Sequence, residues 1–259
     1  KKGEFLPPVP LPRRMWAGCR THFLKPLKIG DLVKKRSSVV DINLKNGKSG
    51  LLCFVTAKYE FFVNDQLIIE EDHDLVYRDY YKNDKAIVIK NELPFQSSDY
   101  EEKIYTHPTM LFRYSAITFN GHRIHYDYPY SIKEEGYKDL VFHGPLQATL
   151  MLRAAEKHKK AKVKTFIHRG VAPVYANDNL FINIENKSNG DVNCFTSTKD
   201  AGMTMKAEAI FWLIINQFLY LLVYLGDFMS NYNYDLIVIG AGSGGTRTAR
   251  ISTSYGAKV

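Results

Sequence analysis

The stretch Gly144-Pro-Leu-Gln-Ala-Thr-Leu-Met-Leu-Arg-Ala-Ala-Glu-Lys-His158 limits the folds open to this chain more than any other segment. A proline just inside a helix start, here behind a glycine, predicts a helix over 145–158. Leu146, Leu150 and Ala154 line one face, but Ala148, Met151, Leu152 and Ala155 are apolar as well. A helix apolar on most sides must be buried on most sides, and its alanines let neighbours approach closely. Strand-like segments follow at 164–168, 179–185, 192–197 and 203–211, with Ser188-Asn189-Gly190 as the turn between the second and third. One buried helix followed by an antiparallel meander predicts an α+β fold, a sheet curled around a helix.

Upstream, Phe5-Leu-Pro-Pro-Val-Pro-Leu-Pro12 cannot be helical, because proline lacks an N–H and fixes φ. Segments 37–44 and 51–63 flank Asn46-Gly47, a strong hairpin signal. Segment 67–77 reads as a further strand around an acidic turn. No long helix is expected in residues 1–79. Asn83, Asp84, Pro94, Ser97, Ser98 and Asp99 interrupt any periodicity, so 80–108 is expected to be a linker. A third zone, 109–211, opens with an expected strand over 110–118 and a histidine-rich turn. An apolar joining stretch, 212–228, precedes a distinct segment, 229–259.

With 259 residues, 45% apolar and 24% charged, the chain can fill a core, which excludes wholesale disorder. Three cysteines, Cys19, Cys53 and Cys194, show no CxxC spacing, so neither a zinc ribbon nor a disulfide framework is suggested. They suit a reducing compartment: the cytoplasm, or the mitochondrial matrix in a eukaryote. Net charge +8 favours an anionic partner. Nucleic acid is not expected, since the basic residues lack interleaved aromatics. The apolar stretch from Ala209 to Leu225 carries Asn216 and Gln217 and is short for a membrane span, so membrane insertion is not expected. No secretory signal opens the chain, and its Lys1-Lys2-Gly3 start is compatible with a fragment.

The densest titratable cluster is Phe119-Asn-Gly-His-Arg-Ile-His-Tyr-Asp127, followed by Val141-Phe-His-Gly144. An imidazole titrates near neutrality and can take a proton from water or return one. An amide can orient that water without titrating. A glycine N–H at a helix start, as at Gly144, favours negative charge developing on a thioester oxygen. His122 and His125 are the candidate proton carriers and Asn120 the candidate amide of this water-activating set. Tyr126, Asp127, His143 and Arg169 are candidate substrate contacts, His143 reading also as a structural residue, and Gly144 would act only through its backbone. His122-x-x-His125-x-Asp127 could chelate a metal only with a further ligand, so no metal is expected there. Asp127, just before Tyr128-Pro129, also reads as a helix N-cap or turn residue. The lysines at 157, 159, 160, 162 and 164 read as a solvated basic edge or a phosphate contact, and Arg13 and Arg14 as interface or phosphate contacts.

At these residues the sequence resembles the MaoC-like, hot-dog-fold hydratases and dehydratases of acyl thioesters. It is similar in particular to a subgroup with mesaconyl-C4-CoA hydratases and type 2 hydroxyacyl-thioester dehydratases. The phrases carrying the resemblance are Phe5-Leu-Pro-Pro-Val-Pro-Leu-Pro-Arg-Arg-Met-Trp-Ala-Gly18, Tyr114-Ser-Ala-Ile-Thr-Phe-Asn-Gly-His-Arg-Ile-His-Tyr-Asp127, His143-Gly-Pro-Leu-Gln147 and Arg169-Gly-Val-Ala-Pro173. The resemblance implies a double hot dog whose second half carries catalysis, and whose first half lacks its helix here. In the wider family an Asp, with a His five positions later, holds the water. His125 matches the His, while Asn120 stands where the Asp would be, which leaves the proton to His125. Gly144 matches the glycine whose amide binds the thioester carbonyl. The implied reaction is reversible hydration of an enoyl thioester delivered by CoA or acyl-carrier protein, without metal or redox cofactor. A homodimer is among the expected assemblies. A hot-dog thioesterase is the alternative, and release of free CoA from a saturated acyl-CoA would decide for it.

The segment from Tyr234 resembles the opening of a glutathione-reductase-like flavoprotein. A buried-type strand leads into Gly240-Ala-Gly242-Ser-Gly-Gly245, a GxGxxG turn that would serve FAD. About 30 residues cannot enclose that cofactor, so a Rossmann-like fragment is expected and flavoprotein oxidoreduction is the least favoured activity.

Overall fold

The computed structural model describes residues 5–47, 50–79 and 98–212. Nine strands occur among them: β1 (Arg13–Phe23), β2 (Val33–Gly47), β3 (Gly50–Val63), β4 (Gln66–Arg78), β5 (Tyr100–Tyr105), β6 (Val163–Gly170), β7 (Asn179–Asn186), β8 (Val192–Thr198) and β9 (Gly202–Phe211). Three α-helices accompany them: α1 (Pro108–Ile117), α2 (Tyr128–Lys133) and α3 (Gly144–Lys159), with a 3-10 turn at Arg123–His125. All the strands join one antiparallel sheet in the order β2-β3-β4-β1-β6-β9-β8-β7-β5. The expected helix and its four following strands are all present.

Helix α3 is the centre of the larger core. Ala148, Met151, Ala154 and Ala155 pack on Val163, Phe166, Ile182, Ile184, Val192, Cys194, Met205 and Ala209. Alanine at three of those four helix positions brings the strands close, which lets the sheet bend around α3 in the hot-dog manner. The same helix buries Gln147, whose Nε2 donates to the hydroxyls of Thr196 and Thr204. Those two hydroxyls also bond each other at 2.9 Å. A buried amide is tolerated here because its donors are used.

The sheet halves meet where β1 pairs with β6, Gly18 opposite Arg169. A Cβ on Gly18 would lie 2.5 Å from the carbonyl oxygen of His168, so only glycine allows this approach. In the first half the proline-rich segment lies on the sheet, Val9 and Leu11 packing against Cys53, Val55 and Tyr77. No helix occurs among the described residues of 5–79.

Several expectations need correction. Residues 110–118 are not a strand. His107 caps α1 by accepting the Thr109 N–H at its ring nitrogen, Pro108 opens the helix, and Leu111 and Ser115, four apart, are its buried residues. The expected linker includes β5, paired along its length with β7. The acidic stretch in 67–77 is not a turn but continuous β4, because Glu70, Asp72 and Asp74 find Lys58 and Arg20 as partners. Asn46 and Gly47 remain in β2, opposite Leu51 and Gly50, so they pair as strand rather than forming the turn themselves. The apolar stretch beginning at Ala209 is β9 through Phe211; its part beyond Trp212, and the expected Rossmann-like fragment at 229–259 with Gly240, Gly242 and Gly245, lie outside the described residues. No described helix is long and apolar enough to cross a membrane.

Candidate active site

The histidine-rich loop runs between α1 and α2 and is held by its own side chains. Asn120 accepts the His122 N–H at Oδ1, 3.1 Å away, in an Asx-type turn. The Tyr126 hydroxyl donates to the Gly121 carbonyl at 3.0 Å. Asp127 caps α2 by accepting the Tyr130 N–H and forms an ion pair with Arg123 at 2.7 Å. Arg123 and Asp127 hold each other's charged forms: the guanidinium rises and the carboxyl falls from its ordinary value. In Tyr126 and Asp127, both expected to meet substrate, the polar side-chain atoms have partners within the loop.

His125 is buried within this loop. Its Nδ1 lies 2.7 Å from the Val141 carbonyl oxygen. A carbonyl only accepts, so Nδ1 carries the proton and Nε2 keeps its lone pair. Burial pushes the imidazole down to about 4, the Val141 bond acting the other way. At neutral pH it is an uncharged base.

The His125 ring is stacked on His143, centroids 3.7 Å apart and planes 16° from parallel. His143 is fully buried; burial, then His125 and His122, bring it down to about 3. Its Nε2 is 2.8 Å from Ser115 Oγ, and its Nδ1 has no hydrogen-bond partner. The less costly tautomer has Nε2–H donating to Ser115, leaving a lone pair rather than an N–H unpaired. Tyr114 closes the other side, its ring edge-on to His143 at 4.8 Å. Next to these residues an apolar cavity of about 460 Å³ is lined by Met110, Tyr114, Ile117, Leu146 and Arg113, among others.

His143 is also the residue before α3, so the stack leads directly to Gly144. The first intrahelical bond runs from Gln147 N–H to the His143 carbonyl. No side chain caps the helix start, and Pro145 has no N–H, so the Gly144 donor points out of the helix end unpaired by the ladder. A Cβ on Gly144 would sit 2.9 Å from Cε3 of Trp16. That contact brings β1, from the first half of the sheet, onto the helix start.

The structure thus gathers His125, His143 and the Gly144 backbone, with Asn120 and His122 on the same loop. His122 sits at the loop surface, its ring 5.6 Å from that of His125 and its Nε2 4.0 Å from Glu135. Arg169 does not join them. It is exposed on β6, next to His168 in sequence, and the His168 ring lies 5.1 Å from that of Phe166, on the α3 side. Alternation along the strand points Arg169 the opposite way. Arg13 pairs with Glu135 and so joins the sheet to the segment just after α2, and Lys157 and Lys162 pair with Glu102 and Glu156. Sequence reasoning did not single out Ser115. Reading α1 as a helix would have found it, as the buried residue one turn after Leu111.

Residues 1–176 match the family described as hydroxyacyl-thioester dehydratase type 2. A mesaconyl-C(4)-CoA hydratase of Chloroflexus aurantiacus is 42% identical over 175 residues, 68% of this chain and 62% of that protein. The chain therefore spans less than two thirds of this relative's length. Among solved structures, a MaoC-like dehydratase from Phytophthora capsici superposes with a TM-score of 0.63, covering 80% of this chain and 75% of its own, at 16% identity. That likeness supports the hot-dog fold. A separate 31-residue stretch, 12% of this chain, is 64% identical to a glutathione reductase of Burkholderia cepacia, of which it covers 7%. With most of its length matched and its sheet curled around a helix that begins beside the His125–His143 stack, the chain belongs to the hydroxyacyl-thioester dehydratase type 2 family.

Proposed function

We propose that this chain catalyses reversible addition of water across the α,β double bond of an enoyl thioester. The observation that carries the reading is the neutral His125, its lone pair on Nε2, stacked on the residue that precedes the unpaired Gly144 N–H. In the hydration direction the thioester oxygen accepts the Gly144 N–H, which draws electrons from the β carbon. Water attacks that carbon while His125 Nε2 takes its proton. The electron pair of the double bond moves onto the thioester as an enolate, stabilised at the helix start. The imidazolium then returns the proton to the α carbon, so one water is added and the base is regenerated. Asn120 and His122 place the water. Ser115 and His143 act as positioning residues that hold the His125 ring. Imidazole and N–H donors cover every step, and we assign no metal or redox cofactor to the reaction.

The apolar cavity beside Tyr114 and Leu146 takes the acyl chain. Arg113 on its wall suits an acyl group ending in a carboxylate, in keeping with the name of the Chloroflexus relative. CoA or an acyl-carrier protein is the carrier. The glutathione-reductase-like stretch with Gly240, Gly242 and Gly245 is a separate proposal, the opening of a dinucleotide-binding unit. An FAD-soaked chain that remains colourless would remove it.

The test follows the absorbance of an enoyl thioester, with mono- and dicarboxylic acyl groups, mixed with the purified chain. Loss of absorbance with the thioester intact supports hydration. Release of free CoA from a saturated acyl-CoA, without hydration, would replace the reading by a thioesterase.

A further inference from the structure

Away from His125, the pairing of β4, β1 and β6 aligns three residues across the sheet, His73 opposite Cys19 and Cys19 opposite His168. Directly opposed residues share a face, and Glu71, two positions from His73, lies on it as well. One ligand atom each from Cys19, Glu71 and His73 falls within 4.8 Å of the other two. His73 Nε2 and Glu71 Oε2 are already 3.3 Å apart. A tetrahedral zinc ion with bonds of about 2.0–2.3 Å holds its ligand atoms roughly 3.3–3.8 Å apart, so a shift of about 1 Å closes the set.

The surroundings fit a cation. Cys19 is buried, while Glu71 and His73 are 27% and 30% exposed, giving solvent a path to the thiol. Thr21 Oγ1 lies 3.4 Å from both Cys19 Sγ and Glu71 Oε1 and orients the two, as outer partners do in metal sites. The Tyr59 ring packs edge-on against His73 at 4.8 Å. A second observation is independent of the trio: His168 is only 8% exposed, yet its Nδ1 has no hydrogen-bond partner. Buried polar atoms are nearly always paired, and an ion is one of the occupants that accounts for an orphan.

We propose that Cys19, Glu71 and His73 form a zinc-class divalent cation site that ties β1 to β4, with His168, opposite Cys19 on β6, the candidate for a further ligand. Thiolate and carboxylate supply two negative charges against the ion's two positive ones, and the imidazole binds neutral. The sulfur–metal bond forms as the thiol proton passes to solvent. None of these residues belongs to the proposed acyl-thioester site, so the ion braces the sheet.

The test is titration of the purified chain with Co2+, which reports a thiolate ligand by a sulfur-to-cobalt charge-transfer band. The expected result is a band saturating at one equivalent, competed away by Zn2+, with a higher Tm in Zn2+. Cys19→Ser removes the band, and Glu71→Gln and His73→Ala each weaken binding by more than the roughly 10- to 100-fold that loss of an outer partner costs. Cys53→Ser and Cys194→Ser leave it unchanged. If Cys19→Ser does not fold, the Glu71 and His73 variants decide. No saturable band in the parent chain, or full-affinity binding in both of those variants, overturns the proposal.

Discussion

The imidazole of His125 rests face to face on that of His143, 3.7 Å between centroids, and His143 is in turn fixed by Ser115 at 2.8 Å. The proposed base is thereby held through a second ring rather than by a carboxylate. His143→Ala is expected to free the His125 ring and lower kcat by about 100-fold, the order of loss for a misplacement near 1 Å. His143→Phe keeps a flat platform and should retain more activity than His143→Ala. Steady-state kinetics of the two variants checks this, and equal losses would show that ring stacking does not matter.

Acid should weaken the fold. His125 at about 4, His143 at about 3 and His168 at about 4 all lie below the ordinary imidazole value, burial being the main cause in each. Below about pH 6.5 the unfolded chain takes up protons that the folded chain does not. Stability is therefore complete above that pH and falls as pH drops towards 4, at up to about 1.4 kcal/mol per pH unit for each histidine. Thermal melts between pH 7 and pH 4.5 should show a continuous decline in Tm; a flat profile would contradict neutral burial.

Gly144 is caught between two requirements. Its N–H faces the thioester in the proposed reaction, and Trp16 leaves no space for a Cβ. Gly144→Ala should cost about 1–3 kcal/mol through overpacking. Trp16→Leu in the same chain should recover part of that loss, a non-additivity readable in a double-mutant cycle. Additive losses would mean that the contact is not the cause.

Gln147 gives a test of the core that is separate from catalysis. Gln147→Leu removes the donor shared by Thr196 and Thr204, and should destabilise by about 1–3 kcal/mol as hydroxyl partners are lost. Denaturant unfolding measures it. A variant as stable as the parent would show that the two hydroxyls, bonded to each other, need no third group.

Those parts of the fold that rest on local pattern were readable from the sequence. The helix beginning at Gly144 and the meander after it declared themselves because alanine-rich, all-round apolar helices and alternating strands are properties of neighbouring residues. The helix at Pro108–Ile117 did not, since Phe112, Tyr114 and Ile117 favour a strand and the deciding signals, a ring-nitrogen cap and burial at Leu111 and Ser115, come from its ends and from tertiary contact. The junction of β1 with β6 and the seat of Trp16 on Gly144 join residues more than a hundred positions apart, which no local pattern encodes. His125 and Gly144 were legible as residue types, whereas the stack that relates them was not. Asp127 was open to two readings, of which the structure shows the helix cap, together with an ion pair to Arg123.

The most direct measurement is enoyl-thioester hydration by the chain carrying His125→Ala, compared with the parent and with a melt to verify folding. The expected result is a loss of about 100- to 10,000-fold in kcat, the range contributed by a positioned general base, with cooperative unfolding preserved. A folded His125→Ala chain that hydrates at the parental rate would contradict the role given to this imidazole.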